Sequence, residues 1–436
     1  MENNFDVHII GGVPRNLKGH QMIEAEAWLM GLSTVRTSGT VFNIILPNED
    51  SIGFSYSRLQ NAPKKSILIA KNKEMTKEVL KSSNLPVAEG QVFESTQVDE
   101  AVEFAKKIGY PVVVKPISGK QGRGVFANLQ TDSELKKSFV KSSQEGFKDS
   151  RLIVEKHIKG KDFRVFSTRD RVCSVVERIP AFVVGDGIST ISELVVQKNE
   201  RRKYNPRYFS TPINENNDLD LLARQGYSAN SIPESGAHIR LSSTANLSRG
   251  GESRECIDVT HPSILEVASL AVRAIPGLEY AGVDILMEDP SIPIDGQDFS
   301  IVEINSAPML VMHPFPGSGK PRNVPRMIVE DLLIKNGFSA NNPVSEDCVF
   351  AKIIVTGTVR KVGYLKWIKA KMDNLELKGY VRVSSDFVEA YVEGCPHRIS
   401  LLTAACLKGS ARSLPKEVKT YPMLKQDFDS EVAGFV

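Results

Sequence analysis

Ala281-Gly282-Val283-Asp284 and Phe299-Ser300-Ile301-Val302-Glu303-Ile304-Asn305 read as two successive apolar strands that carry hard oxygen donors. Two carboxylates and an amide oxygen presented side by side suit Mg²⁺ carrying nucleotide phosphates. Upstream, Pro111-Val112-Val113-Val114-Lys115-Pro116 leads into Ser118-Gly119-Lys120-Gln121-Gly122-Arg123-Gly124-Val125. Gly119, Gly122 and Gly124 remove the side chains that would keep a backbone from phosphate oxygens, Ser118 adds a donor, and Lys115 supplies a point charge. Taken alone, the strand is as well explained as a core strand ending in a solvated lysine. Neither the Walker spacing nor Gly-x-Gly-x-x-Gly is present, so the phosphate grip is of another kind. Together the two regions imply an enzyme that uses ATP.

Composition is compatible with that reading. A chain of 436 residues, 41% hydrophobic and 25% charged, can bury two or three cores. No apolar run has the length of a membrane span, and Met1-Glu2-Asn3-Asn4-Phe5-Asp6 lacks the layout of a signal peptide, so a cytoplasmic protein with no membrane partner is expected. The five cysteines, Cys173, Cys256, Cys348, Cys395 and Cys406, have no Cys-x-x-Cys spacing and read as reduced thiols. A net charge of +3, from 55 basic and 52 acidic residues, argues against a broad nucleic-acid face and favours small anionic ligands.

Along the chain, Asp6 to Ile10 reads as a strand and His20 to Gly31 as a helix, within a small leading domain of residues 1–65. Residues 66–337 then alternate strand and helix. Ile67 to Ala70, Val87 to Phe93 and Val112 to Val114 are expected as strands, and Glu74 to Ser82, Val98 to Ile108 and Ser133 to Ser143 as helices, forming a first lobe. The second lobe starts at Leu152-Ile153-Val154-Glu155 and ends with a helix from Val324 to Lys335, stopped by Asn336-Gly337. Ser339 to Asp347 reads as a linker, and residues 348–436 as a separate unit. The fold class is α/β (α+β).

Lys73, Lys115 with its glycine loop, Glu155-Lys156-His157-Ile158-Lys159-Gly160-Lys161-Asp162, Asp284 and Glu303-Ile304-Asn305 occur in the order seen in ATP-grasp enzymes. Between residues 66 and 335 the sequence resembles the ATP-grasp domain of cyanophycin synthetases and related amino-acid ligases. The supporting stretches are Val184-Gly185-Asp186-Gly187, Thr190-Ile191-Ser192-Glu193-Leu194, Leu222-Ala223-Arg224-Gln225-Gly226, Asn246-Leu247-Ser248-Arg249-Gly250-Gly251, His313 and Gly319-Lys320-Pro321-Arg322-Asn323-Val324. The resemblance implies two α/β lobes with ATP between them. Lys73 and Lys115 would hold phosphates under the loop containing Ser118, Gly119 and Gly122. Backbone around Glu155, Lys156 and Ile158 would pair with adenine, and Asp162 would accept from the ribose. Asp284, Glu303 and Asn305 resemble the family's ligands for two Mg²⁺ ions, with Mn²⁺ able to substitute.

The implied chemistry is ADP-forming ligation. A carboxylate attacks the γ-phosphorus to give an acyl phosphate, and an amine then displaces phosphate to leave an amide. Arg249, Lys115 and Arg240 are the candidates for stabilising transferring charge. Arg164, Arg178, Arg240 and Asn246 are the candidates for holding amino-acid or peptide substrates, the arginines through forked hydrogen bonds to carboxylates. A small-molecule kinase on the same fold and a nucleotide-binding scaffold are the alternatives. Two departures from the cyanophycin synthetases bear on substrate identity. Lys120-Gln121 stands where they tend to carry Asn-His, and Arg249 where they carry a small hydroxyl residue. Their second ligase domain has no counterpart after residue 337, which leaves one amide-forming site.

The tail resembles an acylphosphatase. Phe350 to Thr356 reads as a strand running into Gly357-Thr358-Val359-Arg360-Lys361-Val362-Gly363-Tyr364, followed by a helix from Leu365 to Met372, a hairpin across Leu377 to Gly394 and a helix from Ile399 to Lys408. This is the βαββαβ order of a ferredoxin-like fold. Leu365 stands where the resemblance calls for a phosphate-binding arginine, and Val383 where it calls for a water-orienting asparagine. An inactive domain is therefore expected, left with binding substrate, covering the ligase site or supporting a homo-oligomer as its roles.

Overall fold

The structure, a computed structural model, describes residues 13–117 apart from 16, and residues 124–145, 151–339 and 348–433. Strand alternation builds the first lobe. Gly90–Phe93, Leu152–Lys156, Val112–Pro116 and Phe126–Leu129 form a four-stranded antiparallel sheet in that order. Val112, Val114, Leu152 and Val154 pack on the helices Val98–Ile108 and Asp132–Ser143 through Ala101, Val102, Ala105, Leu135 and Phe139. Side chains alternate between faces along a strand, so Lys115 and Glu155 fall on the face opposite that core.

The second lobe is a five-stranded antiparallel sheet ordered Glu252–Glu255, Val172–Ile179, Lys161–Thr168, Tyr280–Met287 and Phe299–Asn305. Phe163, Val165, Val175, Val283, Ile285 and Ile304 cover one face and meet Ile264, Val267, Ala268, Ala271 and Val272 of the helix Pro262–Ala274. A small annex hangs from one edge. It pairs Phe182–Val184 with His238–Arg240 and packs them on the helix Ile191–Arg202.

Ile67 to Ala70, expected as a strand, lies in the helix Lys64–Lys71. A short apolar run cannot be assigned by periodicity alone, and here it follows Pro63, a residue suited to the start of a helix. Asn72 then opens the next helix, Lys73–Ser82, by accepting hydrogen bonds from the amides of Glu74 and Met75. The expected strand Asp6 to Ile10 lies outside the described residues, as does most of the expected linker.

Residues expected in a leading domain and in a separate tail share one sheet. Its eight strands run Lys378–Val383, Phe387–Gly394, Val349–Thr358, Leu414–Met423, Thr34–Arg36, Val41–Ile45, Ser51–Ser55 and Arg58–Leu59. The first four have the ferredoxin-like order. The join is antiparallel, with Thr34 opposite Thr420 and Arg36 opposite Val418.

The helix Gly19–Leu29 backs this join and is buried along nearly its whole length. Ile23 and Ala27 pack with Val324, Ile328 and Val329 of the helix Val324–Lys335, while Trp28 and Leu29 enter the core of the tail. Glu24, fully buried, is held by Arg36 through two nitrogens, with Nη2 at 2.5 Å and Nε at 3.2 Å. The Ser400 and Thr403 hydroxyls of the helix Pro396–Lys408 also donate to it, at 2.9 and 3.3 Å.

Removing one partner of a buried, hydrogen-bonded ion pair leaves an uncompensated charge and costs about 3–5 kcal/mol. Glu24→Ala is therefore expected to lower the urea unfolding free energy by about that much. Lys425→Ala, which breaks a solvent-exposed pair with Asp429, should leave the midpoint in place. Equal midpoints for Glu24→Ala and wild type would remove Glu24 from this structural role.

Candidate active site

Directly opposed residues in an antiparallel pair point to the same side. Arg178 lies opposite Asp162, Arg164 opposite Asp284, Asp284 opposite Glu303, and Gly282 opposite Asn305. The register thus gathers Asp162, Arg164, Arg178, Asp284, Glu303 and Asn305 on the face of the second-lobe sheet turned away from its apolar core. Beyond Asp284 the pairing skips a residue, so that Ile285 meets Ile301, and this bulge at Val302 sits beside Glu303. Gly282 is needed for this arrangement, because a Cβ there would come within 2.8 Å of Arg164 Cδ.

The face is densely paired. Arg164 holds Asp284 with Nε and with Nη2, the latter at 2.9 Å. Arg178 spans two carboxylates, with Nε 2.9 Å from Asp162 Oδ1 and Nη2 3.0 Å from Asp284 Oδ2. Asn305 donates from Nδ2 to Glu303 Oε1 at 2.9 Å. Burial alone would raise the pKa of Asp284, but Arg164 and Arg178 overcome it and hold the group well below the usual carboxylate range.

The first lobe faces this surface with lysines. Lys115 and Lys77 both pair with Glu155, Lys77 at 2.5 Å. Burial acts to raise the Glu155 pKa, and the two ammonium groups hold it instead at about 2. Lys73 Nζ lies 3.5 Å from the Pro116 carbonyl. Burial chiefly lowers its pKa, and the nearby charges acting on it are Lys115, Glu303 and Glu155. Since Glu303 belongs to one lobe and Lys115 and Glu155 to the other, Lys73 stands where the two meet. Lys77 escaped the sequence reading, although its position one helical turn after Lys73 was a usable signal.

Other expected site residues stand apart. Arg240 and Arg249 are exposed, and among the described residues neither bonds to Asp162, Arg164, Arg178, Asp284 or Glu303. Arg240 is tied to the annex, its Nη2 lying 3.4 Å from the Ser243 carbonyl and its backbone pairing with the Gln225 amide. Asn246 accepts from the Ser248 amide at 2.8 Å and so caps the short helix ending at Arg249. Gly250 follows in the left-handed region, at φ 88°, turning the chain back toward the edge strand Glu252–Glu255. Lys156 reaches the carbonyls of Gly109 and Tyr110 at 2.9 and 3.1 Å, and Ile158 is half-buried just past the strand end. Ser118, Gly119 and Gly122 lie outside the described residues.

Asp284, Glu303 and Asn305 supply three oxygen donors on one face. That donor set fits Mg²⁺, which takes a few protein oxygens and completes its shell with water and phosphate. Among the described residues no group of three or more His, Cys, Asp or Glu side chains is arranged to hold a metal ion, and no helix is long and apolar enough to cross a membrane.

Residues 72–173 match the family described as carbamoyl-phosphate synthase L chain, ATP binding domain, and residues 351–435 match the acylphosphatase family. The chain is 36% identical over 294 residues to cyanophycin synthetase of Trichormus variabilis, covering 66% of this chain and 31% of that protein. It is 30% identical over 334 residues to the glutathione biosynthesis bifunctional protein of Clostridium perfringens, covering 73% and 42%. The crystal structure of a bifunctional glutathione synthetase from Pasteurella multocida aligns with a TM-score of 0.53 and 26% identity, covering 68% of this chain and 41% of that one. The chain therefore spans less than half the length of each of these relatives. Its two lobes have the ATP-grasp fold, and its tail has the ferredoxin-like acylphosphatase fold.

The Glu155 shift sets a pH dependence. Its folded pKa of about 2 lies below the ordinary 4.5, so its stabilisation is complete above pH 4.5 and is lost as pH falls toward 2. The shift corresponds to roughly 3 kcal/mol. Urea denaturation at pH 7, 4.5 and 3 should show wild type losing stability more steeply than Glu155→Gln, and parallel curves would mean that the lysines do not hold Glu155.

Proposed function

We propose that the chain is an ATP-dependent, ADP-forming carboxylate–amine ligase acting on amino acids or small peptides. The observation that carries the reading is that Lys73, grouped with Lys115 and Glu155 on one side, also feels the charge of Glu303, whose face carries Asp284 and Asn305 on the other. Lysines suit the phosphates, and the oxygen donors suit two Mg²⁺ ions. When bound, Mg²⁺ neutralises charge on the β- and γ-phosphates.

The protein's own groups do the rest by position. Lys73 and Lys115 would draw the γ-phosphoryl group toward the charged face, where the substrate carboxylate attacks phosphorus, and ADP leaves. The amine then attacks the acyl phosphate carbon, phosphate departs, and the amine nitrogen gives up its proton. Fixed cations in a water-poor site supply the acceleration, and no covalent enzyme intermediate is required. Arg164 and Arg178 would stand beside the reacting groups, and their contacts with Asp284 and Asp162 offset the charge of those carboxylates in the absence of nucleotide. Similarity to amide-forming enzymes over 294 residues supports the ligase in preference to a kinase or a scaffold. The substrate pair is proposed by class alone, with a cytoplasmic location and no nucleic-acid partner.

The tail is proposed to be catalytically silent. Leu365, in the first turn of the helix Tyr364–Asn374, and Val383, at the end of Lys378–Val383, offer neither the cationic fork nor the amide that acyl phosphate hydrolysis needs. Silence is chemically useful beside a site that makes an acyl phosphate, since hydrolysis there would waste ATP.

Screening acid–amine pairs for ADP should find pairs that release one ADP and one free phosphate per amide. A phosphorylated organic product would indicate a kinase instead. Lys115→Ala and Glu303→Ala should each lower the rate by at least ~10²-fold with the fold retained. Normal turnover in both folded variants would refute the site.

The full-length protein, without ATP, is expected to leave benzoyl phosphate intact at the background rate. Efficient hydrolysis would point to an editing tail that destroys wrong acyl phosphates before the amine arrives.

A further inference from the structure

Three buried guanidinium groups can be compared within this protein. Arg36 grips Glu24, and Arg164 grips Asp284, and in both the gripping edge is Nε with Nη2. Arg207 is as deeply placed, at 6% exposure, yet its Nε and Nη2 have no hydrogen-bond partner among the described residues. The edge that elsewhere holds a carboxylate is here vacant.

Among the described residues, the surroundings do not neutralise it. The centre of the Tyr208 ring lies 5.7 Å from the guanidinium carbon, near the outer limit for a cation–π contact. Glu252 is already shared by Lys198 at 2.8 Å and Arg202 at 3.0 Å. Burial is the main influence loosening the Arg207 proton, Arg202 adds to it, and only Tyr208 opposes it. A buried cation without a counter-charge is costly, and an anion is what relieves it.

The loop that carries Arg207 is anchored to the charged sheet. Tyr208 Oη lies 2.5 Å from Ser253 Oγ, and Ser253 pairs directly opposite Arg178. Asn205 fixes the turn by accepting from the Arg207 amide at 2.8 Å, and its side chain reaches the Phe315 carbonyl at 3.5 Å. The vacant edge is closed to solvent, so a ligand would reach it only through a shift of this loop.

We propose that Arg207 is a specificity-determining residue that takes a free carboxylate of the amino-acid or peptide substrate, one other than the carboxylate being activated. The inference rests on the ligase reading for its substrate class. The carboxylate meets Nε and Nη2 together, as Glu24 and Asp284 meet theirs, and a carboxamide in its place would leave the cation uncompensated. Selection for acids over their amides follows.

The test uses the full-length protein, Arg207→Met and Arg207→Lys, with free amino acids and dipeptides set against their C-terminal amides. Wild-type melting temperature should rise with at least one free acid and not with its amide, and both variants should lose that rise. For the acid–amine pair that drives ADP release, KM for the carboxylate-bearing substrate should increase about 10- to 100-fold in Arg207→Met, with kcat within about twofold and KM for ATP unchanged. Arg207→Lys should behave similarly, because a point charge cannot replace the fork. Without probes, Arg207→Met should melt no lower than wild type.

Four results would overturn the proposal: an unchanged KM in a folded Arg207→Met, a retained thermal shift in either variant, no shift of wild type by any probe, or a lower probe-free melting temperature for Arg207→Met. Absence of ADP release with every pair would instead sink the ligase reading, and the thermal shifts would still judge Arg207.

Discussion

Glu24 is a charged group with no access to water, so its position is set by the donors that can reach it. Arg36 lies on the strand joining the two halves of the large sheet, and Ser400 and Thr403 lie on a helix of the tail. The helix that carries Glu24 also packs through Ile23 and Ala27 on the last helix of the ATP-grasp body. One carboxylate consequently ties the tail to the helix that packs on the ATP-grasp lobes. A merely apolar contact could slide, whereas a bidentate ion pair with hydroxyl donors added from Thr34, Ser400 and Thr403 has one good geometry. The tail is thereby an integral part of the molecule, and its acylphosphatase fold has a structural role in it.

The same logic of internal pairing governs the face proposed for catalysis. Arg164 and Arg178 satisfy Asp284 and Asp162, and Lys115 and Lys77 satisfy Glu155, so each buried charge has a partner before nucleotide arrives. ATP with Mg²⁺ would bring both signs at once, letting lysines turn to phosphate and carboxylates to metal with little change in total charge. A face arranged in this way stays folded when empty and still presents strong charges when filled.

Much of this was legible in the sequence, because strand alternation and the order of the motifs are local properties. The strands bearing Asp284 and Glu303, the lobe helices and the ferredoxin-like order of the tail all follow from short windows. Ile67 to Ala70 misled because four apolar residues carry no period. The shared sheet was out of reach, since the pairing of Thr34–Arg36 with the strand Leu414–Met423 depends on residues hundreds apart. The shared face of Asp284, Glu303 and Asn305 was legible because their oxygen-bearing side chains stand on two successive strands, and the register brings them together. Arg240 and Arg249 were chosen for their chemistry, and their exposed positions on the annex and the 3₁₀ turn had no local signature. The roles of Ser118, Gly119 and Gly122 remain expectations drawn from the sequence alone. The vacant edge of Arg207 is a packing fact, invisible without coordinates.

The joined sheet also imposes an order in time. Ser400 and Glu24 are 376 residues apart in the chain, and the strand that completes the join comes later still. At the ribosome, the early strand Thr34–Arg36 emerges long before its neighbour, with the backbone groups of that edge unpaired and open to pairing with other chains. The lobes between can fold as units while the first helix waits for its second partner. Completion of the sheet is thus coupled to synthesis of the strand Leu414–Met423: a nascent chain that stops short of residue 414 keeps a sticky edge, which is the kind of feature that chaperones and proteases act on.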